Sequence, residues 1–174
     1  MRRLMLLALV GCASGSGTGS NPSIEERVVL TDDRLYRSTV DTRVRTTVLP
    51  ASRDSVWPLL LTAYREMGIE VKTLNPAVGE LGNTAFTAHR SLAGKPLSNF
   101  RNCGSDAISG PMANTHRIHL SILTTLAPDT AGTAMSTRLR ATAQKLGVSS
   151  DPLPCSTTGR LEDQLAQRVM ALLL

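Results

Sequence analysis

The chain has 174 residues, of which 41% are hydrophobic and only 3% aromatic, and its formal net charge is +5. That length sets a single domain with a mostly aliphatic core, and no apolar run approaches the about 20 residues that a membrane-spanning helix needs. The modest charge and the lack of aromatic residues among the basic ones argue against a nucleic-acid-binding surface.

Taken in order, the chain opens with Arg2 and Arg3, then the apolar run Leu4 to Val10, then Gly11 and Cys12. A basic start, a short hydrophobic run and a small residue make an export signal with its cleavage site. The stretch Leu9-Val10-Gly11-Cys12 resembles the lipobox of bacterial lipoproteins, the alternative being an ordinary secretory signal with a coincidental cysteine. The resemblance implies cleavage after Gly11 and lipid on Cys12, and with it attachment to a membrane. It also implies transfer to the periplasmic face of the outer membrane, because Ala13, not Asp, follows the cysteine. Residues 1–11 are then the signal peptide and 12–23 the lipidated cysteine with a Gly/Ser tether. The tether has an r.m.s. reach of about 20 Å. Residues 24–174 form the exported domain. Losing Arg2 and Arg3 takes the charge from +5 to +5 − 2 = +3.

With Cys12 committed to lipid, Cys103 and Cys155 are the remaining pair in an oxidising compartment and read as a disulfide. The loop between them, roughly 50 residues, makes the bridge worth about 4 kcal/mol in the chain-entropy description. The competing reading is two free thiols serving catalysis or a metal.

Ile24 to Thr39 is ambiguous, with Val28-Val29-Leu30 a candidate edge strand and Asp32-Asp33 a turn. From Thr42, Val44, Thr46 and Val48 alternate with Arg43, Arg45 and Thr47, which predicts a half-buried strand with the valines inward. Ser52 is placed to cap a helix carrying Asp54 in its first turn. Val56, Leu59, Leu60, Ala63 and Met67 make its buried stripe, Pro58 marks a late start or a bend, and Gly68 ends it. Trp57 is placed to anchor this helix to the sheet. Ile69 to Leu74 and Leu81 to Ala88 read as a β-hairpin around Asn75-Pro76 and Gly79. His89 to Asn114 is loop chemistry pinned by Cys103, with Leu97, Phe100 and Cys103 spaced for one helical turn. His116, Ile118, Leu120 and Ile122 share one face of a strand. Met135, Thr137, Leu139, Ala141 and Ala143 face inward on the next, after a turn at Pro128 to Gly132. Ser149 to Thr158 reads as a linker carrying Cys155. A last helix starts near Gly159, with Glu162 as in a capping box and Leu161, Leu165, Val169, Leu172 and Leu173 buried. The order β-α-β-β-(loop)-β-β-α, with an antiparallel sheet packed against two helices, is an α+β fold.

The residues that could carry chemistry do not assemble into a known site. His116 and His119 are three apart on a strand and point to opposite faces, so one metal ion cannot take both. Gly104-Ser105-Asp106 and Ile108-Ser109-Gly110 lack the elbow context of a serine nucleophile. Glu25-Glu26, Asp32-Asp33 and Glu162-Asp163 are adjacent carboxylates of exposed segments. We therefore expect no catalytic residue, metal or cofactor. The outward arginines Arg43, Arg45, Arg117, Arg138 and Arg140 are candidates for anionic contact if their strands are neighbours, forming a ladder toward lipid phosphate, anionic polysaccharide or an acidic protein. The alternative is a solvated polar face.

Leu49-Pro50-Ala51-Ser52-Arg53-Asp54-Ser55-Val56-Trp57-Pro58-Leu59-Leu60-Leu61, followed by Met67-Gly68-Ile69-Glu70-Val71, resembles the opening of the small domains in BamC-like lipoproteins of the outer-membrane β-barrel assembly machinery. The resemblance implies a helix-grip layout, an antiparallel sheet curled around a long C-terminal helix. It carries no binding residue across, and this chain departs from those proteins in having one domain and the Cys103/Cys155 pair. The expectation is a non-enzymatic, membrane-anchored lipoprotein presenting a periplasmic domain for protein or envelope contacts. The alternatives are a carrier of a small apolar ligand in a helix-grip cavity and a hydrolase with an unrecognised site.

Overall fold

The computed structural model describes residues 24–31, 34–41, 44–147 and 151–174, with side chains from Val44 onward. The leader, Cys12, the tether and Arg43 lie outside the described residues. The fold is mixed α+β, built on a large antiparallel sheet.

Strands β1 (Ile24–Thr31) and β2 (Arg34–Asp41) pair as an antiparallel hairpin, Ile24 opposite Asp41 and Thr31 opposite Arg34. Strand β3 (Arg45–Leu49) leads into helix α1 (Arg53–Glu66). The Ser52 hydroxyl accepts from the Ser55 N–H at 3.3 Å, and Asp54 sits in the first turn, so the helix begins where its cap dictates. Pro58 is accommodated inside the helix. Gly68, at φ +69°, ends it in the left-handed conformation that glycine tolerates.

A short β4 (Thr73–Asn75) turns back into β5 (Glu80–His89). The long strands β6 (Arg117–Asp129) and β7 (Gly132–Gln144) pair along their whole length, Arg117 opposite Gln144 and Asp129 opposite Gly132. Strand β8 (Leu153–Thr157) precedes helix α2 (Arg160–Leu173). The seven-stranded sheet runs β4-β5-β6-β7-β8 and ends on the two-residue strand Arg101–Asn102. The free edge of β7 is shared: β3 pairs with Thr133 to Thr137, and β8 pairs with Ala141 to Ala143.

Three local readings change. The ambiguous N-terminal stretch is a two-stranded hairpin, and the expected linker around Cys155 contains β8. Of Ile69 to Leu74 only the end is strand, because Ile69 finishes the helix: its N–H bonds the Tyr64 carbonyl at 2.9 Å and its side chain is buried.

Both helices cover one face of the sheet. Val56, Leu60, Ala63 and Tyr64 of α1 and Leu161, Leu165 and Val169 of α2 meet Leu81, Ile118, Ile122, Leu126, Met135 and Leu139 in one continuous core. Trp57 and Leu59 pack half-buried against it. Inside this aliphatic core runs a chain of hydroxyls: Tyr64 Oη to Thr124 Oγ1 at 2.8 Å, and Thr124 Oγ1 to Thr137 Oγ1 at 3.0 Å. Burial pushes the Tyr64 phenol well above its ordinary pKa, the Thr124 bond opposing it. Tyr64→Phe leaves the two threonines bonded to each other and is expected to cost about 1 kcal/mol. Thr124→Val strands both the phenol and Thr137, and should cost about 2 to 4 kcal/mol from two unsatisfied buried hydroxyls. Urea titration of the two variants checks the order, which equal losses would contradict.

The stretch between β5 and β6 is folded, not loose. Ser91–Leu92 pairs with Lys95–Pro96, Leu97–Asn99 is one 3-10 turn, Ser105–Asp106 pairs with Gly110–Pro111, and Met112–Thr115 is one helical turn. Leu97, Phe100, Cys103 and Met112 are buried, and Cys103 is bonded to Cys155 of β8 as a disulfide.

Candidate functional site

The sheet has a second face that no described helix covers, and the strand register says which side chains share it. Outward on β6 are Arg117, His119, Ser121, Leu123 and Thr125, and outward on β7 are Ser136, Arg138, Arg140, Thr142 and Gln144. Cross-strand neighbours are Leu123 with Arg138, Ser121 with Arg140 and His119 with Thr142. Arg138 and Arg140 therefore stand two residues apart on one strand face. Arg117, opposite Gln144, lies four residues beyond Arg140, about 13 Å along the strand.

The predicted five-arginine ladder is not assembled. In β3 the alternation has the opposite phase: Val44, Thr46 and Val48 are exposed, while Leu49 is fully buried and Thr47 half-buried. Leu49 decides this, because the strand's largest apolar residue must enter the core next to Thr133. Arg45 is thereby turned to the helix side, where it pairs with Asp163 at the start of α2 (3.4 Å) and lies against Gly159. Arg43 lies outside the described residues. The exposed face keeps Arg117, Arg138 and Arg140.

One part of this face is concave. A groove of about 500 Å³ lies across β5, β6 and β7. Its walls are two cross-strand rows, Thr87–His119–Thr142 and Thr84–Ser121–Arg140. Its floor is the backbone of the intervening row Phe86–Leu120–Ala141, whose side chains point into the core. Two features of β5 shape the groove. Between Leu120 and Ile122 the register slips, so that Phe86 to Asn83 on β5 spans what two residues span on β6, a bulge at Thr84–Ala85. Asn83 fixes it from the buried side, its amide donating to the Glu70 carbonyl (2.8 Å) and its oxygen accepting from the Ala85 N–H (3.1 Å). Next to it Gly82 lets the strands close up, since a Cβ there would stand 2.2 Å from the Ile122 carbonyl oxygen.

Hydroxyls on this face divide into two populations. Away from the groove they are bonded, Thr46 Oγ1 with Ser136 Oγ at 2.9 Å and Thr125 Oγ1 donating to the Ser136 carbonyl at 3.5 Å, while Arg117 and Arg138 have no hydrogen bond to a described residue. In the groove, the hydroxyls of Thr84, Thr87, Ser121 and Thr142 and the Arg140 guanidinium make no intramolecular hydrogen bond with any described residue. His119 Nε2 meets Gln144 Oε1 at 3.2 Å.

The other singled-out residues are dispersed. His116 precedes β6, its Nδ1 3.0 Å from the Thr115 hydroxyl. Burial, with Lys145 nearby, holds its imidazole below the ordinary histidine pKa against the pull of Asp106. No group of three or more His, Cys, Asp and Glu side chains comes together among the described residues. Cys103 and Cys155 are buried in their disulfide, and Cys155 stands opposite Ala141, at the end of the row that floors the groove. No period or motif marks Thr84, Thr87, Ser121 and Thr142 as a set, since the bulge and the strand order bring them together. The chain matches no protein-family model and no curated protein.

Proposed function

We propose that this chain is a non-enzymatic lipoprotein, anchored through lipid on Cys12 at the periplasmic face of the outer membrane. Its domain has a helix-grip layout, the sheet closing on α2, and presents its uncovered face to an envelope partner. The observation that carries this reading is the asymmetry of the sheet. One face is closed by two helices; the other is covered by no described helix and carries Arg117, Arg138 and Arg140. Support for the anchor comes from Leu9-Val10-Gly11-Cys12 and the Gly/Ser tether behind it. No helix among the described residues is long and apolar enough to cross a membrane.

Labelling cells with a palmitate analogue tests the anchor. The wild-type chain should take up label and sediment with membranes. Cys12→Ser should lose the label entirely and appear in the soluble fraction. Undiminished label on Cys12→Ser would overturn the assignment.

A further inference from the structure

We infer that the groove over β5, β6 and β7 is a binding site for a small, hydroxyl-bearing oxyanion of sugar size, held through its carboxylate or phosphate by Arg140. This does not depend on how the chain is anchored.

The lining carries one permanent cation and no carboxylate. Arg140 is exposed, and no described side chain neutralises it. Arg138 stands one row away and reinforces the positive field. By register, the nearest carboxylate of this face on the three strands is Glu80, opposite Thr125. It lies two rows beyond Ser121, about 13 Å away. An anion entering the groove therefore meets attraction with no competing acid among the facing side chains of these three strands, and a guanidinium offers the paired donors that fit carboxylate or phosphate oxygens.

The rest of the lining sets the second half of the ligand's chemistry. Ser121 is directly across from Arg140, so its hydroxyl is within reach of the same oxyanion. Thr142, His119, Thr87 and Thr84 extend a grid of hydrogen-bonding groups across three strands, about 10 Å wide at a strand spacing of about 4.8 Å. Hydroxyl groups can both donate and accept, which matches a ligand that itself bears hydroxyls. A purely apolar ligand would leave all of them desolvated and unpaired. The groove's volume is in the range of small-ligand sites, about 300 to 1,000 Å³.

The test is a titration of the full-length chain followed by backbone amide NMR, with three probes: glucuronate, glucose 6-phosphate and neutral glucose. At least one of the two anions should give saturable shifts centred on Thr87, His119, Ser121 and Thr142, with glucose binding at least tenfold more weakly. Preference for glucuronate would identify a carboxylate ligand, and preference for glucose 6-phosphate a phosphate. Arg140→Gln should weaken binding at least tenfold and Ser121→Ala threefold or more. Arg138→Gln, equal in charge change but one row outside, should cost less than threefold. Equal binding of glucose and the anions, absence of saturable shifts with both anions, or an equal loss in Arg138→Gln and Arg140→Gln would each overturn the inference.

Discussion

Replacing Cys103 and Cys155 together with alanine is expected to lower the unfolding free energy by about 4 kcal/mol, the chain-entropy value for a bridge across 52 residues. The size of the effect follows from what else holds the segment before β6. Among the described residues its only ladder contact with the main sheet is the two-residue strand Arg101–Asn102 against Thr157 and Ser156. Its anchor residues, Leu97, Phe100 and Met112, are buried, and the Asn99 and Phe100 carbonyls accept hydrogen bonds from Thr158. Both sulfurs belong to nearly fully buried residues, 5% and 4% exposed, so alanine leaves little new polar surface to satisfy. Urea denaturation of wild type and the double variant measures the loss. Alkylation of the native protein before and after reduction checks the bridge directly, with labelling expected only after reduction. A loss below about 1 kcal/mol would mean that the segment is held by its apolar contacts alone.

Gly132→Ala should destabilise by at least about 3 kcal/mol. Gly132 begins β7 at φ +139°, where L side chains are strained. The turn also presses against the junction of β3 and α1. An added Cβ would lie 2.1 Å from the Leu49 carbonyl oxygen and 2.9 Å from the Ala51 nitrogen, both backbone atoms that cannot rotate away. Relief requires moving the turn off Leu49, which breaks the bond from Thr133 Oγ1 to the Ala51 carbonyl (2.7 Å) and opens the core beside Leu49. Thermal unfolding by circular dichroism reads this out. Gly68→Ala is the control, since it shares the positive φ but has nothing within 4 Å of its Cβ, so that strain alone is charged there.

Much of this architecture is legible in the sequence where a strong period coincides with punctuation. Helix α1 has its cap, its apolar stripe and Gly68. The long strands β6 and β7 alternate over enough residues to fix which face is buried, and α2 declares itself by Leu161, Leu165 and Val169. Short edge strands are less legible. In β3, three β-branched residues, Val44, Thr46 and Val48, outvote Leu49 on pattern. In the folded chain Leu49 outweighs them, because an edge strand can leave valines exposed but not forgo its one deep anchor. Arg45 follows passively, its guanidinium lying over Gly159 and reaching Asp163. In β8, Pro154 disguises a five-residue strand as a linker. Tyr64 is absent from the apolar stripe read in the sequence; in the fold it is buried, where its phenol meets Thr124 from sixty residues away. The groove is the extreme case, since its walls come from three strands and its curvature from a one-residue slip that no period records.

The shared edge of β7 has a consequence for how the chain reaches this state. Strands β5, β6 and β7 are joined through one turn and one insertion, but the fourth position in the sheet is filled twice, by β3 from one side in sequence and by β8 from the other. Thr46 meets Ser136 across 90 residues, a loop whose closure entropy must be met before any contact rewards it. Such non-local pairings place folding toward the slow end for a domain of this size. The pairing of β6 with β7 across one tight turn is local, and β3 and β8 close on it from opposite ends of the sequence.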